Sequence, residues 1–107
     1  MQCVGGAFIY SGRPNPTWHI DKSTVGKLED LWNLMELFHG VLPKSPPLGY
    51  SGCFMKCDDR KWFAYSNVVT LKKNNKSESR IDKDRKFEKL LFNSAPIGIL
   101  PNSFIIE

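Results

Sequence analysis

The sequence lacks any long hydrophobic run. Charge or turn chemistry interrupts every apolar stretch within about ten residues, half of the roughly 20 needed to span a bilayer, so no membrane-crossing helix is expected. It also lacks a basic N-terminal region. The apolar residues of Met1 to Tyr10 give way at once to Ser11-Gly12-Arg13-Pro14, a poor secretion signal, and a cytoplasmic location is the expectation. Cysteine is scarce and odd in number, at Cys3, Cys53 and Cys57, which argues against a disulfide framework. Cys53 and Cys57 lie four apart on an expected strand, roughly 13 Å from one another. That separation is too wide for a disulfide or for one shared metal. All three are therefore read as reduced, half-buried core thiols.

Catalytic signatures are equally sparse. There is no HExxH, no GxGxxG and no P-loop. The two histidines, His19 and His39, have no local pattern linking them to a cysteine nucleophile, and Asp58-Asp59 reads as a solvated turn. No catalytic residue, metal ligand or cofactor is assigned, and a small enzyme using a histidine or cysteine stands only as an alternative.

What the sequence does contain is enough apolar material for one core. With 107 residues, 41% hydrophobic and 24% charged, it sits near globular averages, so a single domain over 1–107 is expected and disorder is not. The formal charge of +4 is concentrated in one place. Between Lys72 and Lys89 eight basic residues face four acidic ones, and the rest of the chain holds seven of each.

Cys3 to Ser11 has strand composition, with Gly5-Gly6 suggesting a bulge or a close backbone approach. The next residues, Ser11 to Trp18, form a turn stiffened by Pro14 and Pro16. Capping candidates at Asp21 to Thr24 precede helical spacing of apolar residues from Val25 to His39, with Gly40 in the C′ position. Val41 to Gly52, rich in proline and glycine, reads as an irregular connection. Two strands follow, Cys53 to Cys57 and Trp62 to Leu71, joined by a hairpin turn; the second carries apolar residues on both faces and is expected to be central. A solvated, mobile polar loop is expected at about 72–81, then a helix from about Asp82 to Asn93. The apolar tail, with Phe104-Ile105-Ile106, suggests a last short strand. The order β-α-β-β-α-(β) implies an α+β two-layer sandwich with a largely antiparallel sheet and two helices.

Two segments stand out as binding candidates. Arg13, held on a proline-stiffened backbone, suits bidentate capture of a carboxylate or phosphate, with Asn15 and Trp18 adding a hydrogen bond and a stacking face. Leu48-Gly49-Tyr50-Ser51-Gly52 would add Tyr50 if the two segments are adjacent. The plainer reading makes Asn15 a turn former and Trp18 a core plug. S-G-R-P-N-P-T-W, L-G-Y-S-G and the pattern of Asp82 and Glu88 before Leu90-Leu91 together resemble a scattered family of small proteins with no activity to carry over. That resemblance implies one compact domain.

The leading expectation is a non-enzymatic interaction module that binds a protein or a small acidic ligand through the Arg13 to Trp18 turn and Tyr50. The alternative is nucleic-acid binding through Lys72, Lys73, Lys76, Arg80 and Arg85, with Trp62, Phe63 and Tyr65 as stacking candidates. Against it stand the interspersed acids and the absence of a nucleic-acid-binding signature. Homodimerisation through an exposed sheet edge at the first or last strand is also open.

Overall fold

Two-residue turns set the second half of the chain. Ser66-Asn67 (φ +49° and +70°) and Asn74-Asn75 (φ +50° and +67°) are left-handed at both central positions. This is the type I′ geometry whose twist matches that of paired strands, and asparagine tolerates it better than most residues. A third turn, Asp58-Asp59, closes the preceding hairpin with Asp58 at φ +51°. The computed structural model describes residues 2–9, 14–44 and 50–100. Arg13, Leu48-Gly49 and the expected strand at Phe104-Ile105-Ile106 lie outside them.

The strands are β1 (Cys3–Ala7), β2 (Thr17–Ile20), β3 (Cys53–Cys57), β4 (Arg60–Tyr65), β5 (Val68–Lys73) and β6 (Lys76–Ile81). They form one antiparallel sheet in the order β2-β1-β3-β4-β5-β6. Helices α1 (Lys22–Leu34) and α2 (Lys86–Asn93) supply the second layer. The α+β two-layer arrangement expected from the sequence is therefore the one observed, with more strands. Among the described residues no helix is long and apolar enough to cross a membrane.

Several local expectations change. Trp62 to Leu71 is not one strand: Ser66-Asn67 turns the chain, so Trp62 pairs with Leu71 and Ala64 with Val69. β4 is central, as its two apolar faces suggested. Residues 72–81, expected as a mobile loop, are the end of β5, a turn and all of β6. Their polarity is that of an edge strand, which charge protects from pairing with other chains. β1, by contrast, is interior, so the sheet edges are β2 and β6. Segment 36–38 partly covers the β6 edge, with Phe38 N donating to Ser79 O (2.9 Å) and Ile81 N to Glu36 O (2.8 Å). That pairing explains why α1 stops at Leu34 instead of running to His39: the chain turns extended at Met35 and exchanges helical bonds for bonds to β6. The N-terminus of α1 is as expected, with Asp21 Oδ1 accepting from Thr24 N at 2.8 Å.

A further change concerns the cysteines. Cys3 and Cys57 face each other across β1 and β3 with Cα atoms 4.4 Å apart and are joined by a disulfide. The exclusion of a Cys53–Cys57 bond stands, since both lie on one strand. The partner of Cys57 came from a distant strand that spacing along the chain does not reveal. Cys53 is the one free cysteine, and all three are fully buried rather than half-buried. Disulfides are rare in the cytosol, so this bond weighs against the cytoplasmic location expected from the N-terminal residues.

One face of the sheet carries the core. Trp18, Ile20, Met55, Trp62, Ala64 and Val69 pack there against Val25, Leu28 and Trp32 of α1 and Phe87, Leu91 and Phe92 of α2. Burial of these large side chains, at about 25 cal/mol per Å² of apolar area, is the main favourable contribution to folding.

Candidate functional site

Of the residues singled out in the Ser11 to Trp18 turn, Asn15 and Trp18 are engaged internally. Asn15 Oδ1 accepts from Ile9 N at 2.8 Å. Trp18 is buried on the core face of β2, and its Nε1 donates to Ser94 Oγ at 2.9 Å, so neither its ring nor its N–H is offered to a ligand. Tyr50 also reaches α2, at both its first and its last turn. Its hydroxyl donates to Glu88 Oε2 at 2.5 Å, and its ring meets Phe92 edge-on at 5.5 Å. Trp18 and Tyr50 thus brace α2 near its two ends.

The Tyr50 contact belongs to a buried polar cluster. Glu88 is fully buried and accepts two hydrogen bonds from Arg85, at 3.1 Å from Nε and 2.8 Å from Nη2. Asp82 caps the entry to α2, its two carboxylate oxygens taking Phe87 N (2.9 Å) and Glu88 N (3.0 Å). Asp84 and Arg85 both adopt left-handed backbone, at φ +57° and +55°, which breaks the helix expected from Asp82 onward and swings the guanidinium back over Glu88. Cys53 Sγ donates to Glu88 O at 3.7 Å.

Electrostatics keep this cluster inert. Burial pushes the Tyr50 hydroxyl and the Cys53 thiol well above their ordinary pKa values, and it raises the Asp82 carboxyl against the pull of its two backbone donors. The hydrogen bonds to Glu88 raise Arg85 further. A thiol that is neutral and fully buried is a poor nucleophile. Accordingly, a thiol-reactive chromophore added to the native protein at neutral pH should release almost no signal, and denaturation without reductant should release one equivalent per chain. Rapid labelling of native Cys53 would contradict this geometry. His19 and His39 are both exposed, and among the described residues no group of three histidine, cysteine, aspartate or glutamate side chains is placed to hold a metal.

The other face of the sheet has a different character. The registers align His19, Val4, Lys56, Lys61, Lys72 and Ser77 in one row across all six strands. The neighbouring row is Thr17, Gly6, Phe54, Phe63, Thr70 and Ser79. Neither row contains an acidic residue. Helices α1 and α2 pack on the opposite side, reached from the sheet by Trp18, Cys53, Arg60 and Arg80.

The aromatic row is laid onto backbone. The Phe54 ring passes over Gly6, where a Cβ would overlap it, and a Cβ on Gly52 (φ +114°) would stand 2.8 Å from Phe63 Cζ. Phe8 completes the cluster, its ring centroid 5.3 Å from that of Phe54 and 5.8 Å from that of Phe63. Lys61 Nζ rests 4.9 Å from the Phe54 centroid, a cation–π contact that ties the two rows together. At one end of the lysine row a basin of about 520 Å³ is lined by Lys61, Lys72, Lys73 and Lys76 with a single acid, Asp59.

The basic segment foreseen from sequence is therefore divided. Lys72, Lys73 and Lys76 are exposed and gathered at this end of the sheet. Arg80 turns to the opposite face, where it stacks 4.3 Å over Trp32 and donates to Trp32 O and Glu78. Arg85 is committed to Glu88. Of the stacking candidates, Trp62 is buried in the core, Tyr65 lies beside Tyr50, and Phe63 alone joins the aromatic row. Sequence reasoning missed Phe8, Phe54, Lys56 and Lys61. No protein family, curated protein or solved structure matches the chain.

Proposed function

We propose that this protein is a binding module whose sheet face opposite the helices captures an extended anionic partner. One observation carries the reading: Lys56, Lys61 and Lys72 stand side by side on three adjacent strands, in a row without a carboxylate. Like charges opposite one another across strands are destabilising, so a row of three lysines is unfavourable for folding alone. A bound polyanion offsets that repulsion and releases its own counterions. The acidic-ligand role is here assigned to the sheet; Trp18 of the Arg13 to Trp18 turn serves the core, and Arg13 lies outside the described residues.

Heparin, a polyanion without bases, is the direct probe. Replacing Lys56, Lys61 and Lys72 together by Gln should weaken heparin binding about tenfold at low salt, taking each exposed contact as worth about 0.5 kcal/mol. A control triple variant, K27Q/K83Q/K86Q, removes the same charge from exposed positions on the helical side and should bind nearly as wild type. Equal losses in the two triple variants would show a net-charge effect and no defined face.

A further inference from the structure

We infer that the anionic partner is a single-stranded nucleic acid, its bases stacked on Phe54 and Phe63 and its phosphates held along Lys56, Lys61 and Lys72. This rests on the polyanion reading and adds the chemistry of the partner. A sulfated sugar or an acidic peptide would use the lysine row but presents no repeating flat π-face to the aromatic row beside it. Unpaired bases do, because each presents a π-face, whereas a duplex keeps its bases stacked on one another.

The spacing suits such a strand. Phe54 and Lys56 are two residues apart on β3, as Lys61 and Phe63 are on β4, so each ring lies about 7 Å along its strand from an ammonium-bearing position. Phe54 and Phe63 are direct cross-strand partners, and Phe8 packs against both rings, which restricts them to few orientations. A platform fixed in advance loses little entropy when a base lands on it. Lys61 has a double role: a base that takes its place over Phe54 displaces the ammonium toward the lysine row, where a phosphate can accept it. Lys73 and Lys76 border the same basin as Lys61 and Lys72 but by register belong to the Arg60 row on the helical side, so positive charge continues around that end of the sheet beyond Lys72.

Fluorescence anisotropy with labelled oligothymidylate and oligouridylate of about a dozen nucleotides, a length that covers one such sheet face, tests this directly. A duplex of the same length, heparin and oligoglutamate complete the set. The double variant F54L/F63L keeps apolar bulk and removes the rings. It should lose about tenfold or more in affinity for the single strands, with heparin unchanged, and F54Y/F63Y should restore binding. The K56Q/K61Q/K72Q variant should weaken every anion and flatten the salt dependence for single strands by about two logarithmic units per decade of salt, at about 0.7 for each phosphate contact removed. The DNA and RNA arms separate the two sources of the same chemistry. If F54L/F63L binds oligonucleotides as wild type while the lysine variant does not, or if oligoglutamate binds as tightly as the single strands, the base-stacking inference is overturned and the polyanion reading survives. Absence of binding to heparin and oligonucleotides alike would overturn both.

Discussion

Glu88→Ala should lower the stability of the protein by about 3 kcal/mol, a fall of about 12–24 °C in Tm for a domain of this size. Three effects combine. Truncation empties the volume of a side chain that is fully buried, on a scale where large-to-small core changes cost about 2–5 kcal/mol. The Tyr50 hydroxyl loses its acceptor and stays half-buried, at about 1–3 kcal/mol. Arg85 loses its carboxylate as well, but its side chain is 30% exposed and can turn to water, so its share is small. Glu88→Gln, which keeps the shape and an acceptor for Tyr50, should cost about half as much. Tyr50→Phe should cost about 1 kcal/mol, because Arg85 still satisfies the carboxylate. Urea titrations of the two single variants and of E88A/Y50F measure the coupling, expected at about 1 kcal/mol. A loss below about 0.5 kcal/mol for Glu88→Ala would mean that the cluster does not hold α2 to the sheet.

The same cluster accounts for the strained entry to α2. Asp84 and Arg85 in left-handed conformation cost on the order of 1 kcal/mol each, and such residues persist only when their surroundings over-determine them. Here the surroundings are Asp82 bonded to two amides and Glu88 bonded to Arg85 and Tyr50. Strain of this kind often marks an active site. In this fold it positions a structural ion pair, and the proposed binding surface lies on the far side of the sheet.

Much of that surface was legible before any coordinates. The runs Phe54-Met55-Lys56 and Lys61-Trp62-Phe63 each put an aromatic and a lysine on one side of a strand, and a two-residue turn at Asp58-Asp59 fixes their register. Reading the two strands together would have paired Phe54 with Phe63 and Lys56 with Lys61. The nucleic-acid alternative follows the densest run of charge, after Leu71, and so includes Arg80 and Arg85, whose charges are satisfied internally. β6 was missed for a related reason. Lys76-Ser77-Glu78-Ser79-Arg80 has no apolar alternation, and its strand character comes from the Asn74-Asn75 turn and from pairing with β5. The over-long reading of α1 has another cause: Leu37 and Phe38 keep helical spacing, yet they serve the β6 edge.

The disulfide was beyond sequence reasoning, since it depends on β1 lying next to β3, and its expected effect on stability exceeds that of Glu88→Ala. Cys3 and Cys57 are 54 residues apart, and closing a loop of that length in the unfolded chain is worth about 4 kcal/mol. The bond also sits inside the core, with both cysteines buried between the sheet and α1, where a small thiol reductant reaches them only when the structure opens. Native protein in mild reductant should therefore stay oxidised for as long as it stays folded, and reduction should follow unfolding. Once reduced, its Tm should fall by about 15–30 °C. The double variant C3A/C57A should match the reduced protein and show no further response to reductant. C53A, which removes the one free thiol, should respond to reductant as wild type does. Intact mass before and after reduction supplies the independent check, a gain of two hydrogens for wild type and C53A and none for C3A/C57A. If wild type gains no mass and melts unchanged in reductant, the pairing of β1 with β3 is held by hydrogen bonds and packing alone, and the first reading of these cysteines as thiols is restored.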